Sequence, residues 1–166
     1  MKYFIAVCLV FTFNVLPGFS QSKKTDLPGI DIKTLDGKWV SAKTIQKDKP
    51  MVISFWATWC KPCVRELDAI RDVLPDWNDE FDFQMVTVSV DDSRSEHRVA
   101  PFVKAREWNY EFYLDPNSEL KRALNAPTVP HTFLYNKKGK LVWQHSGFTE
   151  GDEDELYEKL LEVTKK

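Results

Sequence analysis

At 166 residues, with 43% hydrophobic and 13% aromatic content, the chain is long enough to build a sizeable core without disulfide staples. Both signs of charge are interspersed around a formal net of -2, which argues against a nucleic-acid footprint or a polybasic membrane patch. Only three cysteines are present, Cys8, Cys60 and Cys63, which excludes a multi-bridge framework.

Residues 1–20 stand apart: Met1-Lys2 supplies a basic start, Tyr3 to Val15 is nearly all apolar, and Pro17-Gly18-Phe19-Ser20 ends in small residues. This is the pattern of a secretory signal peptide, with cleavage expected near Ser20-Gln21; the apolar run is too short to span a bilayer comfortably. An uncleaved anchor is the alternative. Cys8 lies inside that run and leaves with it. Residues 21–28 form a polar lead, and residues 29–166 are expected to make one domain.

Within that domain, Ile30–Leu35 and Lys38–Ser41 flank Asp36-Gly37, a dipeptide suited to a tight turn, so a small hairpin opens the fold. Met51–Trp56 is almost continuously apolar and β-prone, as a strand buried on both faces of a parallel sheet must be. From Cys60 the period changes: Val64, Leu67, Ile70 and Leu74 recur at helical spacing, and Pro75 predicts an end near Val73. Phe81–Val90 is again strand-like, completing a crossover unit of strand, helix and strand. Downstream the pattern predicts a helix over 95–108, a strand at Glu111–Leu114 and a short helix over Asn117–Leu124. Thr132–Tyr135 and Leu141–Gln144 make an antiparallel hairpin, so the sheet is mixed. A last helix carries Leu156, Leu160 and Val163 on one stripe, with Asp152 and Glu155 placed as a capping box. The fold class is α/β.

The chemistry lies in Trp59-Cys60-Lys61-Pro62-Cys63. A cysteine at a helix start faces unpaired amides and the positive end of the helix dipole, which favour thiolate. Lys61 adds a positive charge, and Pro62 suits the first turn because it needs no amide partner. Cys63 falls about one turn later, near enough to close a bridge. That spacing fits attack by Cys60 on a substrate disulfide, a mixed disulfide, and release by Cys63, with no cofactor required. A metal carrier holding copper or zinc through Cys60, Cys63 and His131 is the reading from another class. A peroxidase lacks support, since no Pro-x-x-x-Thr-x-x-Cys pattern precedes the motif.

Phe55-Trp56-Ala57-Thr58-Trp59-Cys60-Lys61-Pro62-Cys63 and the later Val129-Pro130-His131-Thr132-Phe133 resemble the thioredoxin superfamily. The secretory start, the extra strand and helix around residues 111–124, and Glu66 after the second cysteine are most similar to its TlpA/ResA branch of extracytoplasmic thiol reductases. The resemblance covers roughly residues 27–164. It implies a thioredoxin fold with an N-terminal hairpin and a central strand-helix insertion. It also implies disulfide clients among exported proteins, such as apocytochrome cysteines freed before haem attachment. Re-reduction would come from a membrane-embedded thiol carrier, and a monomer is expected. The sibling reading is a general oxidant or isomerase, since sequence does not set the potential of the pair.

Glu66 has Pro62, Cys63, Ala69 and Ile70 as its helical neighbours, none able to pair with it. A carboxylate bordering an apolar stripe holds its proton more tightly, so Glu66 could exchange a proton with Cys63. Cytosolic thioredoxins carry a buried aspartate where this chain has Ser54, which gives Glu66 more weight as the proton acceptor. The resemblance implies a cis Val129-Pro130 bond beside the cysteines, leaving the Val129 backbone free to pair with an extended substrate segment. Trp59 is expected to rim the reactive sulfur, and Trp56 is equally suited to the core. His97 and His145 are given no role.

Overall fold

The computed structural model describes residues 27–164; the expected signal peptide, its Cys8, and most of the polar lead fall outside these described residues. Six successive buried residues, Met-Val-Ile-Ser-Phe-Trp, leave no polar edge for solvent, and they form the central strand β3 (Met51–Trp56). The strands before it are β1 (Asp31–Thr34) and β2 (Trp39–Ser41), paired antiparallel around Gly37, whose φ of 88° a residue with a Cβ seldom adopts. After it come α1 (Lys61–Glu80), β4 (Gln84–Ser89), α2 (Val99–Arg106) and β5 (Glu111–Leu114). The chain closes with α3 (Glu119–Ala123), β6 (His131–Tyr135), β7 (Leu141–Ser146) and α4 (Asp152–Thr164). All seven strands join one mixed sheet in the order β2-β1-β5-β4-β3-β6-β7. β3 lies parallel to β4, and β4 to β5; every other pairing is antiparallel.

Alternation along β3 divides the core. Val52 and Trp56 face the layer built from Leu67, Ile70 and Trp77 of α1, Val99 and Val103 of α2, and Leu156 and Leu160 of α4. Met51, Ile53 and Phe55 face the opposite layer, with Val86, Val88, Phe133, Tyr135 and Leu120 of α3. Leu27, read as part of the polar lead, is buried in this second layer.

Several elements differ from expectation for tertiary reasons. Helix α1 does not stop near Val73 but passes through Pro75 to Glu80. The proline forfeits one intrahelical hydrogen bond, while the extra turn buries Trp77, whose ring meets Phe83 at 6.4 Å and Tyr157 at 6.0 Å. Phe81 then leaves the helix, so β4 begins at Gln84 rather than at residue 81. The helix expected over 95–108 is a short 3-10 turn followed by α2, which ends where Glu107 turns left-handed (φ 55°). Helix α3 is shorter than expected because Asp115 takes the amides of Glu119 and Lys121 and so sets its start. In place of the expected box on α4, Asp152 accepts from the Thr149 amide at 2.6 Å, one turn earlier, and Glu155 accepts from the Trp143 indole. β7 runs two residues further than expected, to Ser146.

Candidate active site

Trp56 ends β3 and the chain turns through Ala57-Thr58-Trp59 before α1 starts at Lys61, one residue later than expected. Cys60 is its N-cap: its backbone is extended, and its sulfur accepts the Cys63 amide at 3.3 Å. A sulfur there lies against the positive end of a twenty-residue helix. Lys61 and Pro62 occupy the first two helical positions, where the missing proline amide leaves no bond unmade. Cys60 and Cys63 are joined as a disulfide with Cα atoms 5.3 Å apart. Both are buried, whereas Trp59 beside them is 65% exposed. Trp56 belongs to the core, its ring 5.2 Å from that of Trp108.

One turn after Cys63 sits Glu66, only 5% exposed. Its carboxylate is held from two strands: the Ser54 hydroxyl donates to Oε2 at 2.8 Å and the Thr132 hydroxyl to Oε1 at 2.7 Å. Burial pushes its pKa up to about 7, against the opposing pull of those two hydroxyls. The carboxylate thus approaches the space between helix and sheet from α1, and Ser54 serves as its hydrogen-bond donor.

The turn before Cys60 is held by a residue the sequence reading did not single out. Asp91, fully buried just past β4, accepts the Thr58 amide at 2.8 Å and the Thr58 hydroxyl at 2.6 Å. Ser89 donates to it as well, at 2.7 Å. The signal was available in Val90-Asp91-Asp92 at the end of a buried strand, but its partner lies 33 residues away.

The Val129-Pro130 peptide bond is cis. β3 and β6 pair through Phe55 and His131, so Pro130, one step beyond, comes alongside the end of β3 that leads to Cys60. Val129 packs against the same cluster as the two cysteines. His131 does not join them. Strand alternation turns its ring to the other layer, 4.6 Å from Phe133, and its Nε2 faces Gln144 Oε1 at 3.4 Å. Among the described residues no group of three or more histidine, cysteine or acidic side chains is placed to hold a metal ion, so the copper or zinc carrier reading is not assembled. His145, given no role from sequence, stands opposite Thr132 in the β6-β7 register and pairs with Asp152 at 3.3 Å.

The AhpC/TSA family model matches residues 24–144, spanning both the Cys-x-x-Cys turn and the cis-proline segment. The chain belongs to the AhpC/TSA family. Within its thioredoxin-like members, the chain is 30% identical over 141 residues to the sporulation thiol-disulfide oxidoreductase A of Bacillus subtilis, covering 82% of this chain and 84% of that one. Against the thiol-disulfide oxidoreductase ResA of Bacillus thuringiensis subsp. konkukian it is 25% identical over 165 residues, covering 96% and 92%. The solution structure of a thioredoxin-like protein from Porphyromonas gingivalis superposes with a TM-score of 0.76 at 42% identity, over 84% of this chain and 92% of that one. With its Cys60-Cys63 pair on a thioredoxin fold, this AhpC/TSA member is a thiol-disulfide oxidoreductase.

Proposed function

We propose that the enzyme works as a reductase of disulfides in exported proteins, with Cys60 as attacker and Cys63 as resolver. The observation that carries this dithiol chemistry is the buried carboxylate of Glu66, three residues from Cys63 on one helix and with its pKa near 7, while the direction is set by the potential of the pair. A dithiol that gives electrons must shed the proton of its resolving thiol while that thiol attacks, and Glu66 supplies a base poised for neutral pH. Cys60 thiolate attacks one sulfur of the client disulfide, which breaks that bond and releases the other client sulfur as a thiolate. Cys63 then attacks the Cys60 sulfur, its proton passes to Glu66, the Cys60-Cys63 bond forms as the mixed disulfide breaks, and the client sulfur that Cys60 had attacked leaves as a thiolate.

Trp59 offers an apolar rim for the client, and the backbone of Val129 beside Pro130 offers an edge on which an extended client segment adds as a strand. Residues 1–20 act as a signal peptide that places the domain of residues 29–166 outside the cytoplasm; no helix among the described residues is long and apolar enough to cross a membrane. The TlpA/ResA resemblance makes apocytochrome c the client we expect and a membrane-embedded thiol carrier the source of electrons, and the enzyme is read as a monomer.

The test is a Cys63→Ala chain expressed in its native host, where a client stays bonded to Cys60. Clients bearing Cys-x-x-Cys-His are expected; a broad set of other disulfides would replace cytochrome maturation by general reduction. A potential for the pair clearly above roughly -200 mV would overturn the reducing direction in favour of an oxidant or isomerase.

A further inference from the structure

If Glu66 takes a proton from Cys63 at each turnover, as read above, it has to give that proton up before the next client is resolved, either back to Cys63 on re-reduction or outward, and the carboxyl itself is closed off from solvent. Its two oxygens are occupied by the hydroxyls of Ser54 and Thr132. Neither hydroxyl can hold the charge itself. Beside the carboxyl, among the described residues, lies a cavity of about 10 Å³ whose walls include Glu66, Thr132, Trp143, His145 and Asp152, room for roughly one water molecule.

On the far wall stands His145. It is the cross-strand partner of Thr132, so both side chains leave the sheet on the same face. Its side chain is 30% exposed, which wets one edge of a ring whose other edge borders the cavity. The ring is fixed from two sides: it stacks on Trp143 at 5.8 Å and 14°, and Nε2 lies 3.3 Å from Asp152 Oδ2. Asp152 is itself anchored by the Thr149 amide.

The other ionisable groups around Glu66 do not offer this route. Asp152 and Glu153 of α4 line the cavity as acids, and Glu155 lies 3.7 Å from His145 on its outer side. The Tyr110 hydroxyl is committed to the Leu67 carbonyl, and burial drives its pKa far up. Histidine is the side chain that accepts at one nitrogen and releases at the other around neutrality.

We propose that His145, oriented by Asp152, carries the proton between Glu66 and solvent. As Cys63 closes the bond to Cys60, its S–H proton forms the O–H of Glu66. That O–H then breaks toward the cavity, His145 takes the proton on one nitrogen, and a proton leaves the ring's wet edge to water or buffer. His145 acts through Glu66 and touches no sulfur.

Single-turnover release of a coloured aryl thiol from a mixed disulfide on Cys60 of the full chain tests this at low buffer concentration and about pH 6, below the Glu66 pKa of about 7, where Glu66 starts protonated and has to pass that proton outward before it can take the one on Cys63. His145→Gln is expected to slow release roughly tenfold, and added imidazole, a diffusible substitute for the ring, is expected to restore it. Asp152→Asn, which keeps the ring, is expected to give a smaller loss with the same rescue. Glu66→Gln is expected to be slow and indifferent to imidazole, and the double variant Glu66→Gln/His145→Gln no slower than Glu66→Gln alone. A slow Glu66→Gln beside a His145→Gln that is unimpaired, or impaired without rescue, overturns the relay and leaves the Glu66 reading intact. A Glu66→Gln at the native rate removes both.

Discussion

Ser54 at the middle of β3 donates a 2.8 Å hydrogen bond to Oε2 of Glu66 on α1. The buried carboxyl near the cysteines, to which the proposed function assigns the Cys63 proton, is therefore supplied by the helix and steadied by the strand. Its environment sets a response of the fold to pH.

Burial raises the Glu66 pKa to about 7 from 4.5, so between those values the folded chain keeps a proton that the unfolded chain has released. The associated stability is complete below pH 4.5 and declines as pH rises to about 7. The slope is about 1.4 kcal/mol per pH unit, giving roughly 3 kcal/mol in all. Glu66→Gln is expected to flatten this dependence and to unfold at higher urea than the native chain above neutral pH, but not at about pH 5. Its disulfide-exchange rate is expected to lose the inflection near neutrality. Parallel urea titrations and a pH-rate profile check both; an unchanged profile would end the proton role.

Asp91→Ala removes the acceptor for the Thr58 amide, the Thr58 hydroxyl and the Ser89 hydroxyl. Orphaning the buried Ser89 hydroxyl and the half-buried Thr58 donors is expected to cost about 2–4 kcal/mol by denaturant titration, and alkylation of reduced Cys60 is expected to slow because its turn is no longer held. Asp91→Asn, which keeps one acceptor oxygen, is expected to fall between.

How much of this was visible in the residues depends on how local each cause is. The buried run of β3, the helical stripe Leu67-Ile70-Leu74 and the Cys-x-x-Cys pair at a strand-helix junction are short-range patterns, and they placed the fold and the two sulfurs. Glu66 stood out for lacking a partner on its own helix. Its donors are Ser54 and Thr132, the latter 66 residues away, and only the assembled sheet brings them in. His145 was given no role because its place opposite Thr132 depends on two further residues of β7 and their register with β6. Pro75 misled because the benefit of continuing the helix is the packing of Trp77 against Phe83 and Tyr157.

That last point is itself testable. Pro75 is exposed in the interior of α1, so Pro75→Ala is expected to restore an intrahelical bond and stabilise the chain by about 1 kcal/mol or more in a denaturant midpoint measurement. Exchange kinetics are expected to stay at the native level. A loss of stability would mean that the proline shapes the packing beyond it.

Trp59, 65% exposed, contributes little to the core. Trp59→Ala is expected to change stability by less than about 0.5 kcal/mol while raising the client concentration needed for half-maximal rate, with single-turnover resolution by Cys63 unaffected. Steady-state kinetics on a peptide disulfide separate the two.

Thr58 is moored through Asp91 to the end of β4, while Cys63 and Glu66 ride on α1. Cys60 stands where the two meet: its carbonyl takes the Val64 amide and its sulfur the Cys63 amide, while the turn just before it is tied to the sheet. A disturbance of either anchor is therefore felt at the same sulfur, whichever side of the fold it starts from.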